Sequence, residues 1–86
     1  MIRFTKHAED KFTVLRKHGF RVLREQVLET VQSPDSVDAD SRYPIVIAQR
    51  TIDDTHVLRV VYKEFGSDIK IITFYPGRSK KYGKTI

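Results

Sequence analysis

Hydrophobic alternation predicts that the second half of the chain forms strands. β-Branched and aromatic residues crowd two runs, residues 57–62 and 69–75, and a Gly-Ser-Asp cluster separates them. Upstream, residues 45–52 have a similar composition and end at Asp53-Asp54, which predicts a two-residue turn. We therefore predict three consecutive antiparallel strands, at residues 45–52, 55–63 and 68–75.

The first half of the chain has helical periodicity in two segments. The first helix is expected to start after the N-cap Thr5 and to stop at Gly19. The second covers about residues 22–32 and ends before Pro34. Their apolar stripes consist of Ala8, Phe12 and Leu15 in the first helix and Leu23, Val27, Leu28 and Val31 in the second.

Two weaker segments, residues 2–4 and the surroundings of Val37, can add edge strands. The predicted fold is α+β, with two N-terminal helices packed on one face of a twisted antiparallel sheet of four or so strands. With 86 residues the chain has room for a single domain, 1–86, in which residues 77–86 form a basic C-terminal tail.

Composition narrows the class of protein. The chain lacks cysteine, which agrees with a reducing compartment, and has no apolar run long enough to span a bilayer. We therefore expect a cytoplasmic protein without membrane contact. The formal net charge is +5, and residues 77–86 carry four cations and no anion. This segment predicts a polyanionic partner or, alternatively, is a solubilising end.

Strand register brings two arginines together. With a two-residue turn at 53–54, Ala48 lies opposite Arg59, and alternation places Arg50 and Arg59 on one face, roughly 7–8 Å apart. Such a pair indicates a nearby carboxylate such as Asp53 or Asp68, a bound anion, or surface arginines whose stems lie over valines. The face under the helices is expected to carry Ile45, Ile47, Leu58, Val60, Tyr62, Ile69 and Ile71. The opposite face is expected to carry Val46, Ala48, Arg50, Val57, Arg59, Val61, Ile72 and Phe74.

Few other residues suggest chemistry. His7 lies in the first turn of the first helix, where the helix dipole favours a neutral imidazole that could act as a general base or simply pack or cap. The histidines and aspartates lack metal-ligand spacing, so neither a metal nor another cofactor is expected. The C-terminal segment interleaves rings and cations, as single-stranded RNA binding requires; these residues are Tyr75, Arg78, Lys80, Lys81, Tyr82 and Lys84.

Several motifs resemble a known family. They are FTKHA at residues 4–8, a helix pair ending in Ser33-Pro34-Asp35, LRVVY at 58–62, IKIITFY at 69–75 and the Lys-Lys-Tyr that follows. Together they look like a family of small domains grouped with the RelE-like and BrnT-like toxins of bacterial toxin-antitoxin systems.

This resemblance implies a RelE-like fold and metal-free cleavage of RNA, often messenger RNA on the ribosome, with a cognate antitoxin protein as partner. In such an endoribonuclease the 2′-hydroxyl of RNA attacks the adjacent phosphorus. The catalytic residues would then be His7, Arg50, Arg59, Lys81 and Tyr82, and RNA would contact Tyr75, Arg78, Lys80 and Lys84. The alternative is a non-catalytic module of the same fold that binds nucleic acid or protein.

Overall fold

The computed structural model describes residues 1–82, with side chains as far as residue 80. Within that range the chain forms five strands and three helices. In chain order they are β1 (Ile2–Phe4), α1 (Lys6–Lys17), α2 (Arg24–Gln32), β2 (Ser36–Asp38), β3 (Ile45–Thr51), β4 (His56–Phe65), β5 (Asp68–Arg78) and α3 (Ser79–Tyr82). The predicted α+β class is confirmed.

The strands form one mixed sheet in the order β1-β5-β4-β3-β2. Four of them are antiparallel neighbours, as expected, but β1 runs parallel to β5, with Ile2 opposite Ile69 and Phe4 opposite Ile71. The sheet therefore has five strands and is not purely antiparallel. β1 joins the sheet at one edge because its two apolar residues extend the apolar surface of β5.

Both long helices pack on the same face of the sheet, where the hydrophobic core lies. Ala8 of α1 and Val27 of α2 are fully buried against Leu58, Val60 and Phe74, each with no exposed surface. The Phe12 ring lies 4.7 Å from the Phe74 ring, centroid to centroid. These contacts confirm the predicted arrangement of two amphipathic helices on one side of a sheet.

Local chemistry fixes the helix ends close to the predicted positions. The Thr5 hydroxyl accepts a hydrogen bond from the Ala8 N–H at 3.0 Å and donates one to the Ile72 carbonyl at 3.0 Å, so it caps α1 and ties the helix to β5. Gly19, with φ +81°, follows the C-cap and takes the left-handed conformation that glycine tolerates best.

The turn between β3 and β4 shifts the predicted register by one residue. The Asp53 carboxylate accepts hydrogen bonds from the N–H groups of Thr55 and His56, both at 2.8 Å, and so builds a wider turn than two residues. As a result Gln49, and not Ala48, lies opposite Arg59. A slip of one residue moves every side chain of β3 to the other face.

The face assignment for β3 was therefore wrong. Val46 and Ala48 are buried under the helices, whereas Ile45 and Ile47 lie on the face opposite them. On β4 the alternation was correct, because Leu58, Val60 and Tyr62 do point into the core.

An irregularity in β5 produces the second correction. The pairing of β4 with β5 shifts between Val61 and Tyr62, so that Ile72 has no partner on β4. This extra residue places both Ile71 and Phe74 under the helices, although three positions separate them. Phe74 was expected on the opposite face and is instead fully buried in the core.

The described part of the predicted C-terminal tail, residues 77–82, lies in regular secondary structure. β5 continues beyond Tyr75 to Arg78, and α3 follows at once. Ser79 is buried, and its N–H donates to the Thr55 carbonyl at 2.9 Å, which holds α3 against the β3–β4 turn. Among the described residues, no helix is long and apolar enough to cross a membrane.

Candidate functional site

The sheet face opposite the helices, here called the open face, carries a polar row across three strands. Gln49 on β3, Arg59 on β4 and Tyr75 on β5 are directly paired in register. Directly paired residues of antiparallel strands point to the same side of the sheet. The register therefore places an amide, a guanidinium and a phenol side by side in the middle of the open face.

Arg59 is the middle residue of this row, and both of its neighbours accept hydrogen bonds from it. Its Nε donates to the Tyr75 hydroxyl at 3.1 Å, and its Nη1 donates to the Gln49 Oε1 at 2.5 Å. The guanidinium carbon also lies 5.9 Å from the centre of the Tyr75 ring. Both of these partners are neutral, and the carboxylate of Asp38 interacts electrostatically with the guanidinium that they position.

A groove of about 710 Å³ opens beside Arg59. We call it the Arg59 groove. Both apolar and polar residues line it: Asp38, Ser41, Arg42, Ile45, Ile47, Arg59, Val61, Ile72, Thr73 and Tyr75. Such a mixture of apolar side chains with a few polar groups is typical of sites that bind small organic groups.

The acidic side of the groove is stabilised from within the chain. Hydrogen bonds from the Ser41 hydroxyl, from the Ser41 N–H at 3.0 Å and from the Asp40 N–H at 3.1 Å lower the pKa of Asp38. The positive charge of Arg59 lowers this pKa further. The carboxylate is therefore ionised at neutral pH and anchors the β2–β3 connection at the rim of the groove.

A second row on the open face consists only of cations. Arg3 of β1 lies directly opposite Lys70 of β5, and Lys70 lies directly opposite Lys63 of β4. We call these three residues the cation row. Lys63 is also paired with Ile45, which lines the Arg59 groove, so the row begins where the groove ends.

Arg50 does not belong to this site, which corrects the expected pairing with Arg59. It lies on the helix side of the sheet, where its Nη1 donates to the Ser33 carbonyl at 2.5 Å and its Nε lies 3.7 Å from a Glu29 carboxylate oxygen. The cause is the one-residue shift of β3. These contacts give Arg50 a structural role at the end of α2.

His7 is also separated from Arg59. It is exposed on α1, and α1 packs on the face opposite the Arg59 groove, so the sheet lies between the imidazole and the guanidinium. In this structure His7 cannot exchange a proton with a group bound at Arg59.

The predicted residues of the C-terminal segment divide into three groups. Tyr75 contacts Arg59 in the groove. Arg78 lies opposite His56 on the helix side of the sheet, and Lys80 is exposed on α3. The side chains of Lys81 and Tyr82, and all of Lys84, lie outside the described residues.

Gln49, Arg42 and the cation row were not predicted from the sequence. Gln49 is 5% exposed, and a buried amide of this kind needs a hydrogen-bond partner. With the correct register of β3, Arg59 would have been predicted as that partner. Lys63 and Lys70 lie seven residues apart on the two strands of the β4–β5 hairpin, whereas Arg3 is brought to them only by the parallel pairing of β1 with β5.

Among residues 1–82, no group of three or more histidine, aspartate or glutamate side chains could hold a metal ion. Comparison with known proteins adds no relative: no protein-family model, no curated protein and no solved structure matches the chain. Functional inference for this protein therefore rests on the geometry of the open face and on the motifs of the sequence.

Proposed function

We propose that the protein is a RelE-like RNA-binding domain and that the Arg59 groove holds a nucleotide of the RNA. The observation that carries this proposal is the fixed guanidinium of Arg59, held between Gln49 and Tyr75 at the edge of an open groove. A guanidinium presents donors in a planar fork that matches the oxygens of a phosphate group. Because its side chain is already positioned, little rotamer entropy is lost on binding.

The remaining residues of the groove suit the other parts of a nucleotide. Tyr75 offers a ring for stacking, and Ile45, Val61 and Ile72 offer an apolar surface for a base. The net charge of +5 favours association with a polyanion. The FTKHA, LRVVY and IKIITFY motifs, which resemble the RelE-like and BrnT-like group, support RNA over other polyanions.

The proposal is tested by the affinity of the protein for a fluorescein-labelled single-stranded RNA, measured by anisotropy. Arg59→Gln is expected to weaken binding about tenfold or more, the size of a lost charge-assisted hydrogen bond. Arg50→Gln is the matched control, because it removes the same charge from the neighbouring strand on the opposite face. Equal affinities of the two variants would contradict the proposal.

A second candidate function is metal-independent cleavage of RNA by attack of the 2′-hydroxyl on the adjacent phosphorus. Here Arg59 would stabilise the negative charge of the phosphorane, and Tyr75 would exchange protons with the reacting oxygens. Lys81 and Tyr82 remain proposed members of this set. As a toxin of this type the protein would act on messenger RNA, including RNA on the ribosome, and would pair with an antitoxin.

Cleavage is tested with purified protein, RNA and EDTA, with and without ribosomes, by reading both the fragments and their ends. New 2′,3′-cyclic phosphate ends that are absent with Arg59→Gln would establish the endoribonuclease. RNA that is bound but intact in both arms would leave the binding domain as the function. The separation of His7 and Arg50 from Arg59 favours the binding domain, because it removes a base and a cation from the expected catalytic set.

A further inference from the structure

The cation row has an unfavourable electrostatic arrangement for the folded protein. Arg3, Lys70 and Lys63 occupy successive direct pairs on neighbouring strands. Like charges in directly opposite positions destabilise a sheet, and the cation row contains two such pairs. The ion pairs among residues 1–80 include none of these three side chains. An anion from outside the chain would relieve the repulsion.

The position of the row relates it to the Arg59 groove. On β4, Lys63 and Arg59 lie on the same face and are four residues apart, which corresponds to about 13 Å at a strand rise of ~3.3 Å per residue. Val61, which lines the groove, lies between them on that face. Because Gln49 and Tyr75 fix the Arg59 side chain, a ligand that contacts both cations over this span is expected to carry at least two anionic groups.

We propose that the cation row is a second phosphate-binding subsite, so that the open face binds single-stranded RNA of several nucleotides. One nucleotide occupies the Arg59 groove and the sugar-phosphate chain crosses to Lys63, Lys70 and Arg3. This inference rests on the proposed function. The groove selects single strands, because a base reaches its apolar side chains only when it is not stacked and paired in a duplex.

The test is the double variant Lys63→Gln/Lys70→Gln, with Lys6→Gln/Lys17→Gln on α1 as the matched control. Binding of a fluorescein-labelled single-stranded RNA ten nucleotides long is measured by anisotropy over a salt series. The double variant is expected to bind about tenfold more weakly and to lose roughly 1–2 units of the salt slope, as two lost phosphate contacts on a single strand require. The control should match the wild type.

Three further readouts separate a binding role from a structural one. Uridine 3′-monophosphate, whose base binds in the groove and which is too short to span the groove and the cation row together, should bind the double variant and the wild type equally. The midpoint of urea denaturation should stay unchanged or rise, since like-charge repulsion has been removed. A blunt duplex of the same sequence should bind the wild type more weakly than the single strand does.

The outcomes distinguish this inference from the function on which it rests. If the double variant keeps the wild-type affinity and salt slope while Arg59→Gln loses binding, the cation row is not a phosphate subsite. The proposed role of the Arg59 groove then stands. If the wild type binds no RNA, the proposed function fails, and long-chain polyphosphate then tests the row directly. If the wild type binds polyphosphate and the double variant does not, the cation row is a phosphate subsite whose ligand is not RNA. If the wild type binds neither RNA nor polyphosphate, both the proposed function and the phosphate subsite are wrong.

Discussion

The two faces of the sheet use the same strands for different purposes. Under the helices, Leu58 and Val60 of β4 have no exposed surface, and they pack against α2 and the rest of the core. Between them on the other face, Arg59 lies at the edge of an open groove. Because neighbouring residues of a strand point in opposite directions, the contacts that stabilise the fold and the groups that can bind a ligand alternate along one strand.

The largest expected difference between the faces concerns stability at two adjacent positions of β5. Phe74→Ala is expected to lower the free energy of unfolding by about 3–5 kcal/mol, because it removes a fully buried ring and leaves a cavity. Thr73→Ala, one residue away on the open face, should cost at most about 1 kcal/mol. Urea denaturation measures both.

If Phe74→Ala does not fold, Phe74→Leu still tests the comparison, since it keeps most of the buried volume. Its loss should be smaller than that of the alanine variant and larger than that of Thr73→Ala. Equal losses at positions 73 and 74 would mean that the two faces contribute alike to stability.

The next effect concerns RNA binding and separates two tyrosines. Tyr75→Phe removes the hydroxyl that accepts from Arg59 and keeps the ring, so affinity should fall between about twofold and tenfold, the ~0.5–1.5 kcal/mol of one hydrogen bond. Tyr62→Phe makes the same chemical change on the helix side and should leave affinity unchanged. Anisotropy titrations with single-stranded RNA measure both variants, and a loss in Tyr62→Phe would contradict the assignment of binding to the open face.

A smaller effect is expected at alkaline pH on the helix side. Burial, together with the negative charge of Glu64, raises the pKa of Tyr62 above its ordinary value of 10.0. The unfolded chain therefore loses this proton first, and stability falls as the pH rises above about 10 towards the folded-state pKa. Tyr62→Phe should flatten this part of the stability curve. Wild-type and variant curves that stay parallel from pH 8 to 11 would refute this cause.

The smallest effect is expected at acidic pH on the open face. The pKa of Asp38 is lowered from its ordinary value of 3.8, so its hydrogen bonds to Ser41 and Asp40 stabilise the folded state above that pH and are lost as the pH falls through the folded-state value. Asp38→Asn should be less stable than the wild type near neutral pH, and the difference should shrink below about pH 4. Denaturation at a series of pH values measures this convergence.

The elements could be predicted because each depends on local patterns. Helical spacing, the cap at Thr5 and the stop at Gly19 depend on a few neighbouring residues, and the structure agrees with the cap and the stop. The predicted apolar stripes are confirmed except for Leu23, which is the exposed N-cap of α2, and Leu28, which lies outside the core. The sheet was predicted less well, because register depends on how many residues a turn contains. A hydrogen-bonded turn at Asp53 reversed the faces of β3, although Asp53 with Thr55 two residues later is a recognisable signal for such a turn.

The candidate site shows the same limit. Arg59 was placed on the correct face because the alternation of β4 is regular, whereas Arg50 was misplaced together with its strand. The partnership of Arg59 with Tyr75 depends on the extra residue in β5, Ile72, which shifts the later part of that strand. The cation row depends on the register of the β4–β5 hairpin, which pairs Lys63 with Lys70, and on the parallel pairing of β1 with β5, which no local pattern indicates.

The parallel pairing of β1 with β5 also has a consequence for the order of assembly. Ile2 pairs with Ile69, so among the described residues β1 finds its neighbour 67 residues later in the chain. Contacts between such distant segments form late in folding, because a long loop must close first. A nascent chain that lacks β5 has neither Tyr75 in the groove nor Lys70 beside Arg3. The proposed binding face is therefore complete only after β5 has been synthesised.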